Sequence, residues 1–281
     1  MATLVSERVG QYFVDGHRLE YTEYGAGERL VVLVHGQLML RSMHEPLARA
    51  LAGAGFHVVT LDLLGHGRSD RPLDPRIYSM TAFGEQVVAL LDHLGADQAV
   101  LGGTSLGSNV SLEVADVLPE RVRGLLLEMP VLDNGLEAGL IAFGPLMFTA
   151  RFLPVTVSAT RRLTRAVPRA LVPFWGGVLL DSFDQRPGPM AAAIHGIFFG
   201  RIAPSSKRRR LIEVPALVVG HPRDPVHPAA DAAMLAEEMP NARFVAARGI
   251  LEWRVRPQRL TDEAVEFVTR CWGSPSAVST G

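Results

Sequence analysis

One cysteine and one lysine are all that the 281 residues contain of either type. The lone thiol, Cys271, excludes an internal disulfide and fits a reducing compartment. It stands in a helical stretch near the C-terminus and reads as a buried or idle thiol, not a nucleophile. Lys207 is the one lysine, so arginine is the working cation throughout, a habit of composition rather than chemistry. Surplus charge is missing too: a net charge of -1 gives no general attraction to nucleic acid or to an acidic membrane. The opening MATLVSERVGQYF has neither a basic head nor an apolar run, and no secretory signal is expected. No apolar stretch reaches the ~18 residues of a membrane span. The nearest, GLIAFGPLMFTA over 139–150, is short and interrupted by Pro145. The expectation is a soluble cytoplasmic protein without a membrane span. The histidines are scattered, with no H-x-x-x-H and no cysteine partner, which argues against a metal. No G-x-G-x-x-G follows a first strand, so a dinucleotide has no support and no cofactor is implied.

What is present is an ordinary globular composition, 48% hydrophobic and 20% charged, long enough for one large α/β domain with an insertion. QYFVDGHRLEYTEYG over 11–25 alternates on both sides of Asp15-Gly16, a hairpin signal. LVVLVHG (30–36) and FHVVTLDLLGHG (56–67) are apolar, β-branched runs of the kind buried on both faces of a parallel sheet. Helical spacing over 43–55 separates them. A helix over 79–95, capped by Ser79 or Thr81 and stopped by Gly95, leads to a strand over 97–105, a helix over 106–118 and a strand over 121–130. This alternation predicts a mostly parallel central sheet with helices on both faces.

The rhythm stops at Val131 and resumes with VPALVVG (214–220), PAADAAMLAEEMP (228–240), ARFVAA (242–247) and RLTDEAVEFVTRCW (259–272). Residues 131–210 hold helix-compatible pieces broken by Pro145, Pro154, Pro168, Pro173, Pro187, Pro189 and Pro204. They read as an insertion between two strands of one sheet. The core domain is then 1–130 and 211–272, with 273–281 a small, polar, disordered tail. The insertion carries eleven Arg and Lys against four Asp and Glu, +7, against -8 for the rest. Arg161, Arg162, Arg165 and the run Lys207 to Arg210 read as solvated helix faces, or alternatively as a lid that attracts an anionic substrate or carrier.

LGGTSLGS over 101–108 contains G-x-S-x-G, with a strand ending at Ser105 and a helix beginning at Leu106. That context is the nucleophile elbow, a strained turn that exposes a serine oxygen. The Leu106 N–H, at the helix start, points where an oxyanion would form. His35-Gly36-Gln37 follows the strand LVVLV; its histidine reads as structural, and the Gln37 N–H is a second oxyanion donor. His66, in the glycine-rich loop DLLGHGRSD, reads as loop-stabilising. Asp224 follows the strand VPALVVG at its carboxyl end, where open α/β sheets place their sites. The alternative is a plain loop aspartate capping the next helix, with Asp133 as a fallback acid.

HGQ at 35–37, D-x-x-G-H-G-x-S at 62–69, G-T-S-L-G at 103–107 and G-H-P-R-D at 220–224 occur together in this order. With them the chain resembles the α/β-hydrolase fold family over nearly all of 11–271. The resemblance implies a helical cap over 131–210, Ser105 as nucleophile, Asp224 as triad acid, and Gln37 and Leu106 as oxyanion hole. It also implies a catalytic histidine in the loop after the last strand, as Gly-His ahead of a Pro. Here that region reads ARFVAARGILEWRVRPQRL, and Ile250 occupies the place of the histidine. No histidine follows His227.

An isoleucine cannot take or return a proton, so the base must come from elsewhere. His227, three residues past Asp224 on the same loop, is the first candidate, although an acid and base so close in sequence need not align with Ser105. His195, among apolar neighbours in the insertion, is another candidate or else a buried structural residue. His221 reads as shaping its loop, and Glu252 as a hydrogen-bond partner of His227 or a weak base. The expected function is a serine-dependent hydrolase of a small apolar ester, thioester or lactone, with apolar cap segments forming the acyl pocket. A non-hydrolytic binding protein or pseudoenzyme, or a lyase or cyclase reusing the oxyanion hole, are the competing readings. The partner is a small-molecule substrate, and a homodimer stays open.

Overall fold

The computed structural model describes residues 5–273. The expected disordered tail therefore lies, Gly273 aside, outside the described residues. Two strands, β1 (Glu7–Val14) and β2 (His17–Tyr24), form the hairpin, with Val14 opposite His17. Asp15 and Gly16 between them both have positive φ, the backbone of a turn that matches strand twist. β3 (Leu30–Val34), α1 (Glu45–Gly53), β4 (His57–Asp62), α2 (Met80–His93), β5 (Ala99–Thr104), α3 (Leu106–Val117) and β6 (Val122–Glu128) then alternate. The Ser79 hydroxyl caps α2 by accepting from the Ala82 N–H at 3.1 Å.

After the insertion come β7 (Ala216–Gly220), a helix over Ala229–Glu238, β8 (Ala242–Ala246), a short helix over Glu252–Val255 and a final one over Gln258–Trp272. The eight strands lie in the order β1-β2-β4-β3-β5-β6-β7-β8. β2 pairs antiparallel with β1 and β4, and all other pairings are parallel. Alternation of side chains divides β3 between two cores. Val32 and Val34 pack with Phe83 and Leu90 of α2 and Val110 of α3. Val31 and Leu33 pack with Leu51 of α1 and Phe267 of the last helix. Burial on both faces is why the sequence of β3 is an unbroken apolar run.

The insertion is helical: α4 (Gly135–Phe152), α5 (Pro154–Ala166), α6 (Phe174–Ser182), α7 (Pro187–Phe198) and α8 (Ser206–Arg209), which makes the later helices α9, α10 and α11. Pro145 does not break its helix as the sequence suggests; it lies inside α4. Proline removes one backbone bond from a helix interior, but α4 is held by packing on α7, where Ala150 meets Met190 and Ile194. The root of the insertion is tied to the sheet domain. Asn109 of α3 donates to the carbonyls of Val131 and Ile202, and the buried Asp231 of α9 accepts from the N–H groups of Leu132 and Gly135.

The basic cluster is only partly a solvated face. Arg209 is buried, paired with Glu238 and Asp133, and Arg208 pairs with Asp116. Arg161 and Arg165 share Asp184. Among the described residues, no single helix is long and apolar enough to cross a membrane.

Candidate active site

Ser105 stands between β5 and α3 with φ 55° and ψ -110°, a conformation that costs a non-glycine residue roughly 1–3 kcal/mol. The surroundings enforce it. The Ser105 N–H donates to the Glu128 carbonyl at 2.9 Å, and the Ser108 hydroxyl donates to the carbonyls of Gly103 and Glu128. A Cβ at Gly103 or Gly107 would overlap the Val34 carbonyl oxygen. Glycine at both positions thus lets β5, α3 and the end of β3 close around the serine. Leu106 opens α3, so its N–H has no carbonyl one turn back to donate to.

His227 lies across the sheet end, on the turn between β7 and α9. Its Nε2 is 2.8 Å from Ser105 Oγ, and its Nδ1 is 3.0 Å from Asp224 Oδ2. The other carboxylate oxygen, Oδ1, accepts from the Val226 N–H at 2.8 Å and the His227 N–H at 3.0 Å. An aspartate that binds the backbone two and three residues ahead folds the chain back on itself. That local turn sets the imidazole beside the carboxylate three residues earlier, so the short spacing aligns the groups instead of frustrating them. Burial opposes ionisation of Asp224, but the His227 ring and the two N–H groups outweigh it and hold the carboxyl below its ordinary range. The ionised Asp224 accepts a hydrogen bond from the His227 Nδ1–H, which leaves Nε2 to accept from the serine hydroxyl.

The other candidates fall elsewhere. His195 is exposed, not buried, and its ring lies tilted against Phe199 with ring centres 4.6 Å apart. Asp133 is 71% exposed and engaged with Arg209. Glu252 accepts from Arg259 and from the Arg248 N–H, not from His227, and that pairing holds its carboxyl at about 2. It is neither the partner of His227 nor a base. His35 and His66 are buried against each other, His35 accepting from the Leu63 N–H. Ile250 is 39% exposed on a short turn.

A second cluster lies behind the elbow and was not legible from sequence. Glu128, the last residue of β6, is buried and accepts from the Thr104 hydroxyl and from Arg254 Nη2 at 2.6 Å. His221 Nε2 stands 3.0 Å from its other oxygen, and the His221 Nδ1 faces the Gly249 carbonyl. Burial works against the Glu128 charge, but Arg254 and His221 prevail and keep the carboxyl far below its usual range. Arg254 in turn lies over the Trp175 ring of α6, 5.0 Å from its centre. The only sequence signal was an acidic residue directly after the apolar run Leu125–Leu127.

Gln37 occupies a tight turn closed by the Met39 N–H on the Gly36 carbonyl at 3.0 Å. Its side-chain Oε1 and Nε2 are both shut off from solvent without a hydrogen-bond partner among the described residues. Beside this turn lies a half-open cavity of about 240 Å³, lined by Leu38 and, from the insertion, Val157, Phe183, Gln185 and Met190. A wider groove of about 610 Å³ runs between Leu73, Phe148, Phe152 and His195. Among the described residues, no group of three or more His, Cys, Asp or Glu side chains is arranged to hold a metal ion.

The fold is that of a hydrolase-type α/β protein. The profile of the alpha/beta hydrolase fold family matches residues 29–249, and the chain belongs to that family. It is 30% identical over 234 residues to a putative carbamate hydrolase, RutD, of Azorhizobium caulinodans, a match that covers 80% of this chain and 84% of that one. A second similarity, 42% over 118 residues, is to the dihydrolipoyllysine-residue acetyltransferase component of the acetoin cleaving system of Pseudomonas putida. It covers 41% of this chain but only 30% of that relative. Among solved structures, the enol-lactonase of Burkholderia xenovorans LB400 superposes with a TM-score of 0.72 at 23% identity, over 92% of this chain and 100% of that one. The esterase of Exiguobacterium antarcticum gives 0.73 at 19%, over 91% and 97%. At such identities the likeness is one of fold.

Proposed function

We propose that the protein is a serine-dependent hydrolase of a small apolar ester, thioester or lactone, acting through an acyl-enzyme on Ser105. The observation that carries this reading is the continuous chain from Ser105 Oγ through His227 to Asp224, at 2.8 and 3.0 Å. His227 is the general base: it takes the serine proton as Oγ attacks the carbonyl carbon, then returns it to the leaving oxygen or sulfur. Asp224 orients the ring and stabilises the imidazolium. The N–H groups of Gln37 and Leu106 hold the oxyanion. In the second half, His227 deprotonates a water that attacks the acyl carbon and restores Ser105.

The helices over 131–210 act as a cap. The cavity bounded by Leu38 and Met190 receives the acyl group, and its roughly 240 Å³ suits a short one, below the ~300–1,000 Å³ of drug-sized sites. The unpartnered amide of Gln37 supplies a polar contact for the substrate. Leaving it buried and unsatisfied costs roughly 1–3 kcal/mol, which a substrate oxygen or N–H relieves.

A fluorophosphonate probe tests the reading together with a panel of short acyl esters. Expected are labelling of Ser105, its loss in Ser105→Ala and His227→Ala, and turnover of at least one ester class. Folded protein that takes no label and turns over no ester would point instead to a binding protein, or to a lyase or cyclase that uses the oxyanion donors without the nucleophile.

A further inference from the structure

Leu38 is a leucine in a glycine's conformation. It is the second central residue of the turn from Gly36 to Met39, with φ 60°. Turns of this kind place Gly or Asn there, because a side chain at positive φ crowds its own backbone. The strain must be met by contacts, and they come from the insertion. The Leu38 side chain, 8% exposed, packs against Ala150 of α4 and Met190 and Ile194 of α7. Its carbonyl oxygen accepts from Gln185 Nε2 at 3.2 Å, between α6 and α7. Gln185 is only 3% exposed, and its own oxygen accepts from Arg71 Nη1 at 3.0 Å. Arg71 is braced by the Gly67 carbonyl. A side chain with both ends occupied in this way has one available orientation.

We propose that Gln185 is a positioning residue for the oxyanion donor. From the insertion it holds the Leu38 peptide in its left-handed state, and so keeps the Gln37 N–H aimed at the space over Ser105. This rests on the acyl-enzyme reading above. If Leu38 relaxes to negative φ, the turn's peptides rotate and the donor leaves the oxyanion. The insertion then does more than cover the site: displacement of the segment between α6 and α7 disassembles half of the oxyanion hole. The cavity bounded by Leu38, Gln185 and Met190 touches the same device, so a ligand filling it presses the turn into its working shape.

Gln185→Glu separates the two ends of the side chain. The carboxylate keeps its bond from Arg71 but has no N–H for the Leu38 carbonyl. Expected is a loss of kcat of about tenfold or more on a short p-nitrophenyl ester with KM within about twofold, measured well below the variant's thermal midpoint. The decisive readout is a double-mutant cycle with Leu38→Gly, which adopts positive φ without strain. There, Gln185→Glu or Gln185→Ala should lower kcat by less than about threefold. An equal loss in both backgrounds, full kcat in Gln185→Glu, or an effect confined to KM would overturn the proposal. If Ser105→Ala retains wild-type turnover, the acyl-enzyme reading itself has failed, whatever Gln185 does.

Discussion

The His227 imidazole bridges Asp224 and Ser105, hydrogen-bonded at Nδ1 to a carboxylate three residues earlier and at Nε2 to a hydroxyl 122 residues earlier. The histidine missing from the loop after β8 therefore has a geometric counterpart on the loop after β7. Under the proposed acyl-enzyme mechanism, removing it removes the base. We expect His227→Ala to lower kcat by roughly 10²–10⁴ on any ester the wild type hydrolyses. Combined with Ser105→Ala it should cost no more than the worse single change, since residues of one relay act as a unit. Steady-state rates of the three variants decide this; additive losses would mean that His227 acts apart from Ser105.

Gln37→Met keeps the backbone donor and removes only the orphaned amide. The expected outcome is a KM raised several-fold, corresponding to about 1 kcal/mol or more of lost substrate contact, with kcat little changed. A fall in kcat at constant KM would place the side chain's effect in the transition state instead.

Met190 lines the cavity assigned to the acyl group. Met190→Phe narrows it, so selectivity across acetyl, butyryl and hexanoyl esters should shift towards the shortest. Parallel losses for all three would remove the cavity from the acyl path.

Buried Glu128 pairs with half-buried Arg254, and breaking the pair leaves the guanidinium without its partner. Glu128→Gln should destabilise the fold by about 3 kcal/mol at pH 7, measured by urea unfolding. The Glu128 carboxyl is depressed in the folded state, so its contribution is complete above the ordinary glutamate value near ~4.3 and fades as pH falls below it. The gap between wild type and variant should be level from neutral pH down to about pH 5 and narrow in stronger acid. A gap that instead widened below that point would contradict the direction of the shift.

His44 is buried, and burial lowers its imidazole to about 4. The unfolded chain takes up this proton near ~6.5, well before the native state does. Stability from this group is therefore whole above about pH 6.5 and is lost as pH falls towards 4, a change of roughly 3 kcal/mol. Thermal midpoints recorded from pH 7 to 4.5 should decline, and His44→Gln should flatten part of that slope. His35 and His66, also depressed by burial, act in the same direction. An equally steep profile in His44→Gln would remove His44 from the account.

How much of this was legible depends on how local each cause is. β3 and β5 were plain because burial on both faces writes an apolar run, and the elbow was plain because the backbone at Val34 leaves no room for a Cβ at Gly103 or Gly107. The Asp224-to-His227 spacing was visible, and its meaning was not, because alignment with Ser105 depends on an aspartate turn and on a contact across the sheet. Pro145 misled, since tertiary packing on α7 outweighs the proline's cost to α4. Glu128 and Arg254 left almost no trace, being 126 residues apart and joined only by the fold. Leu38 gave none: a strained turn residue looks like any other leucine until its φ is known.

Asp224 and His227 share one turn, and this gives the relay an uncommon mechanical property. A swing of the Asp224–His227 turn carries imidazole and carboxylate together, with their mutual bond and the N–H contacts of Oδ1 intact. Among the three groups Asp224, His227 and Ser105, the distance that such a swing alters is the one from Nε2 to Ser105 Oγ. The site then has a single coordinate separating engaged from idle, and a substitution that stiffens or loosens that hinge would tune turnover without touching any group that reacts.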